Sequence, residues 1–147
     1  MGARYVEPTG FDAVFNALVG GLTRLGLPLA GSRVLAVRGR ASGEWRTTPV
    51  NPLRVAGERY LVAPRGHTQW VRNLRVSGTG ELRTGRRAER FRAEELPDAA
   101  KPPVLRAYLK AWAWEVGRFF EGVDASSPDE RLLEIAPDFP VFRIHAQ

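Results

Sequence analysis

Between residues 11 and 25, apolar side chains recur at Phe11, Val14, Phe15, Leu18, Val19, Leu22 and Leu25. Steps of three and four place them on one stripe of a helix, weakened by Gly20-Gly21 and ended by Gly26 and Pro28. The pattern then shortens. Extended segments are predicted at 34–37, 47–55, 59–63, 80–84 and 88–93, each bounded by glycine or proline. Turns such as Val55-Ala56-Gly57-Glu58 and Thr84-Gly85-Arg86 favour an antiparallel meander or Greek-key barrel over parallel strands alternating with helices. Pro49 and Pro52 remove two N–H donors from one of these strands. That strand is therefore an edge, bulged, or turned toward a ligand.

A short helix is predicted over 68–76, with Thr68 as its cap and Trp70, Asn73 and Leu74 on one side. A longer one follows over 104–120, where Leu105, Leu109, Trp112, Val116 and Phe119 form the stripe. Its aromatic cluster of Trp112, Trp114, Phe119 and Phe120 is richer than a capping helix needs, so these rings are candidates for the wall of a pocket holding a planar ligand. Residues 132–136 and 141–144, separated by Pro137 and Pro140, read as a closing strand.

At 147 residues the chain fits a single domain, residues 1–147, with its own core. The expected layout is mainly β with flanking helices (α+β). It has a helix at about 11–25, a barrel of about six strands at about 33–94, a helix at about 104–121 and the closing strand at about 131–145. No apolar run is long enough to span a bilayer, and the N-terminus lacks a secretory pattern, so cytoplasmic residence is expected. The N-terminal helix leaves a peripheral membrane contact open. The absence of cysteine excludes disulfides, thiolate metal sites and cysteine nucleophiles. With His67 and His145 the only histidines, no metal site is expected.

The formal charge is +6, and the basic residues are almost all arginine, with Lys101 and Lys110 the only lysines. Guanidinium groups suit phosphate and carboxylate, although a GC-rich coding bias explains many surface arginines equally well. Two segments stand apart. In Gly39-Arg40-Ala41-Ser42-Gly43, glycines flank Arg40 and Ser42 in a tight turn, and Arg46 follows six residues after Arg40, so two guanidinium groups can grip one multiply charged group. In Tyr60-Leu61-Val62-Ala63-Pro64-Arg65-Gly66-His67, a strand end passes through a loop into the short helix. Such a junction exposes backbone amides to a heterocycle edge or a phosphate. His67 in this loop is a candidate substrate contact.

Together these segments resemble the deazaflavin-dependent nitroreductase family. Its pattern, a Gly-Arg-x-Ser/Thr-Gly-x-x-Arg loop, a Pro-Leu strand, a glycine-containing loop and Trp-x-x-Asn-Leu, is matched at Gly39, Arg40, Ser42, Gly43, Arg46, Asn51, Pro52, Leu53, Gly66, Trp70, Asn73 and Leu74. The resemblance implies a split β-barrel of the FMN-binding-split-barrel type that binds coenzyme F420. It puts Arg40, Ser42 and Arg46 on the phosphate and oligoglutamate tail. It places Pro49, Val50, Asn51, Val62, Ala63, Pro64, Arg65, Gly66, Trp70 and Asn73 around the deazaflavin and its ribityl chain. The low-priority pocket set is His67, Trp112, Phe119 and Phe120, and no residue is assigned as catalytic.

Two positions depart from the family. Ala41 stands where lysine is frequent, and no tyrosine follows Glu121, so the last proton is expected from water. The function implied is hydride transfer from reduced deazaflavin to a small-molecule electron acceptor: a quinone, nitroaromatic or activated alkene. Alternatives are an FMN-binding reductase on the same barrel, a non-catalytic deazaflavin carrier and a basic nucleic-acid-binding module. Nucleic acid is not an expected partner, because charge alone supports it. A homodimer is suggested by fold analogy.

Overall fold

Four consecutive buried residues, Val34 to Val37, mark a strand covered on both faces. In the computed structural model, which describes residues 33–116, 119–120 and 122–147 and the backbone alone at 113–116, they form β1 (Arg33–Arg38). The remaining strands are β2 (Trp45–Val50), β3 (Leu53–Val55), β4 (Glu58–Val62), β5 (Thr79–Thr84), β6 (Arg87–Glu95) and β7 (Val141–Ala146). They make one seven-stranded sheet in the order β2-β1-β5-β6-β7-β4-β3. Every pairing is antiparallel. The predicted helix at 11–25 lies outside the described residues.

The segment predicted as one strand over 47–55 is two strands, at opposite edges of the sheet. Only Asn51 and Pro52 separate them. Three residue steps reach at most about 11 Å, whereas seven strands laid flat would hold their edges about 29 Å apart. The sheet must therefore curl until its edges meet. Pro49 and Pro52 withhold donors along that seam, so it stays unzipped, and a split barrel results.

The barrel interior is filled by Leu35, Val37, Leu61, Leu82, Phe91, Phe142 and Ile144, and helix α1 (Gln69–Ser77) adds Val71 and Leu74 to it. Helix α1 ends at Gly78, whose φ of 71° suits glycine and whose N–H donates to the Leu74 carbonyl at 2.8 Å. Where β5 crosses β6, a Cβ on Gly80 would lie 2.8 Å from the Phe91 ring and 3.0 Å from the Ala36 carbonyl oxygen, so only glycine fits. The hairpin turns carry the positive φ their sequences call for: Ala56 (51°) with Gly57 (82°), and Gly85 (61°).

The long helix, α2, spans Pro102–Val116, starting two residues earlier than predicted because proline is tolerated in a first turn. Phe119 and Phe120 lie beyond it rather than within it. The predicted strand at 131–145 is corrected more substantially: its first part is helix α3 (Asp129–Ile135) followed by a 3-10 turn (Ala136–Asp138), and only Val141–Ala146 is strand. Asp129 and Glu130 sit in the first turn of α3, where the helix dipole favours acids. Leu132 and Ala136, four apart, are both buried. These helices pack with β3 and β4 around a second core that includes Leu53, Val62, Leu105, Leu109, Leu132 and Phe139. Among the described residues no helix is long and apolar enough to cross a membrane.

Candidate cofactor site

The turn after β1 is closed by its own backbone: Gly39 N–H donates to the Glu44 carbonyl at 2.8 Å and Gly43 N–H to the Gly39 carbonyl at 2.8 Å. The Ser42 hydroxyl accepts from Glu44 N–H at 3.1 Å, and its own proton remains available. A Cβ on Gly39 would come within 3.0 Å of that hydroxyl, which explains the glycine. Arg38 donates to the Gly43 carbonyl at 3.1 Å and lies 4.0 Å over the Trp45 ring.

Arg40 joins this turn to α1. Its backbone N–H donates to Asn73 Oδ1 at 3.0 Å, and its guanidinium donates to the same oxygen at 2.8 Å and to Gln69 Oε1 at 2.9 Å. Two residues 33 positions apart, one from each sequence segment, thus share a part-buried anchor, with Asn73 buried and Arg40 exposed. Gln69 was not singled out by the sequence reading, although its i,i+4 spacing from Asn73 puts both on one helix face. Arg46 and Arg72 are exposed and have no partner among the described residues; Arg72, one position from Asn73, was likewise overlooked.

The loop at 63–68 differs from expectation. Ala63 N–H donates to the Pro140 carbonyl at 2.9 Å, Gly66 N–H to the Ala63 carbonyl at 3.2 Å, and Thr68 N–H to the Gly66 carbonyl at 2.9 Å. Three amides expected to face a ligand are thus consumed inside the protein, and Gly66 is needed for its φ of 91°. Val62 pairs with Val141 in the sheet. The Arg65 guanidinium sits 5.0 Å over the Phe119 ring rather than standing free beside Pro64.

Thr68 occupies the N-cap position of α1, but its side chain makes no capping bond. Among the described residues its hydroxyl oxygen is buried without a hydrogen-bond partner.

The expected pocket residues are only partly brought together. His67 Nε2 lies 2.9 Å from the Pro137 carbonyl and Nδ1 3.1 Å from Arg75 Nη1. Both ring nitrogens thus have partners within the protein. Phe120 is 2% exposed and stacks on Phe139 with centroids 4.1 Å apart. Phe119 is buried in the same core, and Trp112 is half-buried against it. Phe120 therefore packs within the core. Trp70 packs at 6.0 Å, tilted, on Phe142 of the barrel interior. Among the described residues no group of three His, Asp or Glu side chains is placed to hold a metal.

A family model described as F420H(2)-dependent quinone reductase matches residues 12–123. The chain belongs to that family. It is accordingly an oxidoreductase that depends on coenzyme F420. No curated protein matches the sequence. Among solved structures, it is similar to an F420-H2 dependent reductase, FDR-A (17% identity, covering 78% of this chain and 94% of that one, TM-score 0.53). It is also similar to the Atu2129 protein of Agrobacterium tumefaciens (17%, 99% and 59%, TM-score 0.54). A third neighbour is a Bacteroides thetaiotaomicron protein described for 5-nitroimidazole antibiotic resistance (11%, 80% and 73%, TM-score 0.51). At these identities the likeness establishes the split-barrel fold.

The turn's chemistry fits a polyanionic cofactor such as F420. Residues 38 to 46 hold Arg38, Arg40 and Arg46 against one carboxylate, Glu44. The bonds from Arg40 end on neutral amide oxygens, which position the guanidinium without neutralising it. Arg46 and the Ser42 hydroxyl keep donors to offer.

Proposed function

We propose that this F420-dependent reductase passes a hydride to a quinone, with nitroaromatics and activated alkenes as further acceptors, and that Arg40, Ser42 and Arg46 hold the cofactor's anionic tail. The observation that carries this reading is the anchor between Arg40 and Asn73, which sets a basic turn against the helix beginning beside the 63–68 loop. When bound, reduced F420 supplies the hydride; the chain supplies binding, orientation and exclusion of water.

Arg40, fixed by Asn73 and Gln69, presents its remaining N–H groups in one orientation, so little side-chain entropy is lost on binding. Arg46 adds an un-neutralised charge from the neighbouring strand. Pro49, Val50 and Asn51 lie where the barrel edges meet, and Trp70 stands beside Asn73 on α1. These residues would flank the ring. His67, engaged at both nitrogens, does not serve as proton donor, and water completes reduction of the acceptor. The chain would act as one domain.

Anaerobic assay of reduced F420 with a quinone, a nitroarene and an activated alkene tests the reading, and the quinone is expected to give the highest kcat/KM. Turnover with none of the three, despite tight F420 binding, would instead identify a carrier.

A further inference from the structure

At the end of β1 away from the Gly39 turn, a cavity of about 660 Å³ opens between strands. Arg33 contributes from β1, Arg54 from β3, Arg59 from β4 and Arg87 from β6. Leu82 both lines this cavity and packs in the barrel interior, so the cavity is the barrel mouth. It is not the cofactor turn: Arg40, which bonds α1, lies past the other end of β1, and the six residues of that strand put the two ends about 17 Å apart.

Four arginines and one carboxylate, Glu89, line the mouth. Glu89 is engaged by Arg59 through both oxygens. Arg54 and Arg87 are exposed; the charge of Arg54 acts on Glu89, but neither guanidinium forms a hydrogen bond or close ion pair among the described residues. Among the described residues Arg54 and Arg87 therefore add positive charge beyond the Arg59–Glu89 pair, from strands far apart in sequence, above an apolar floor. Like charges gathered in a partly enclosed space repel one another unless a counter-anion sits among them. The volume falls in the range of small-molecule sites, far above that of a lone inorganic ion.

We propose that this mouth is a second ligand site, for an organic anion carrying at least two clustered negative charges, either a phosphate ester or an oligocarboxylate. Arg54 and Arg87 grip the charged group, Arg59 is held in place by Glu89, and Leu82 meets the ligand's apolar part. The site does not depend on the reading of the cofactor turn.

The test uses the full chain carrying Arg46→Ala, so that the turn does not dominate, and compares it with the same chain also carrying Arg54→Gln and Arg87→Gln. Thermal unfolding is followed against inorganic pyrophosphate and, separately, citrate, with sodium chloride at matched ionic strength. At least one of the two anions is expected to raise Tm saturably where chloride does not. The added pair of substitutions should weaken that effect at least tenfold while leaving Tm without anion unchanged or higher, since mutual repulsion is removed. The better probe distinguishes phosphate from carboxylate recognition. No saturable shift with either anion, or an equal shift in both proteins, would overturn the proposal.

Discussion

Asn73 Oδ1 accepts two hydrogen bonds from one arginine, and the position of the basic turn rests on that oxygen. Asn73→Ala would strand the Arg40 N–H and loosen its guanidinium. A loss of about 1–3 kcal/mol in urea denaturation is expected, together with weaker F420 binding. Unchanged stability and affinity would show the anchor to be incidental. Arg46→Ala separates the two effects, because its exposed side chain supports nothing else. Stability should stay within about 0.5 kcal/mol, while F420 affinity measured by fluorescence titration should fall about tenfold or more, the equivalent of about 1.4 kcal/mol. Gly80→Ala probes packing instead. Its new methyl meets the fully buried Phe91 ring and a backbone carbonyl, neither of which can yield easily, so a loss of about 1–3 kcal/mol is expected. Wild-type stability in that variant would mean that β5 and β6 are less closely apposed.

Ion pairs tie the elements together at their ends. Arg75 of α1 grips Glu95 of β6 through two bonds, at 2.8 and 2.6 Å, and reaches His67. Arg59 of β4 grips Glu89 of β6. Hydrogen bonds from Arg59, aided by the charges of Arg59 and Arg54, hold the Glu89 carboxyl below its usual range despite some opposing desolvation. Its folded value thus lies below the unfolded one. The stability it confers is complete above the ordinary carboxylate range near about 4.3 and fades as pH falls through the folded value. With side chains 22% and 45% exposed, the pair is worth at most about 1 kcal/mol. The difference in urea midpoint between wild type and Glu89→Gln should therefore shrink from pH 6 to pH 3; a constant difference would show that the pair does not stabilise the fold.

At this scale the sequence pattern located β1, β4, β5, β6 and α1 closely, because each is bounded by glycine, proline or a turn with its own backbone demand. It failed at 131–135, where a short apolar run fits a strand and a helix turn alike, and Pro128 with two acids decided for the helix. It joined β2 to β3, because the crossing at Asn51-Pro52 is a property of the closed sheet rather than of the local chain.

For the whole molecule, barrel closure brings distant pieces together. The motif residues Arg40 and Asn73 were each visible in the sequence, but their shared hydrogen bonds were not, because they are 33 positions apart with three strands between them. The free amides expected at 63–68 were inferred from a strand-loop-helix junction. In the folded chain Pro140 and the loop's own carbonyls take three of them. On the proposed reading, side-chain charge, above all that of Arg46, holds the cofactor's tail. The tail lies away from the reacting ring, so contacts to it should help ground state and transition state equally. Steady-state oxidation of reduced F420 by a quinone, in wild type and Arg46→Ala, tests this most directly. The expected result is a KM for F420 raised about tenfold or more with kcat unchanged; an unaltered KM, or a fall in kcat that matches the fall in kcat/KM, would contradict the account.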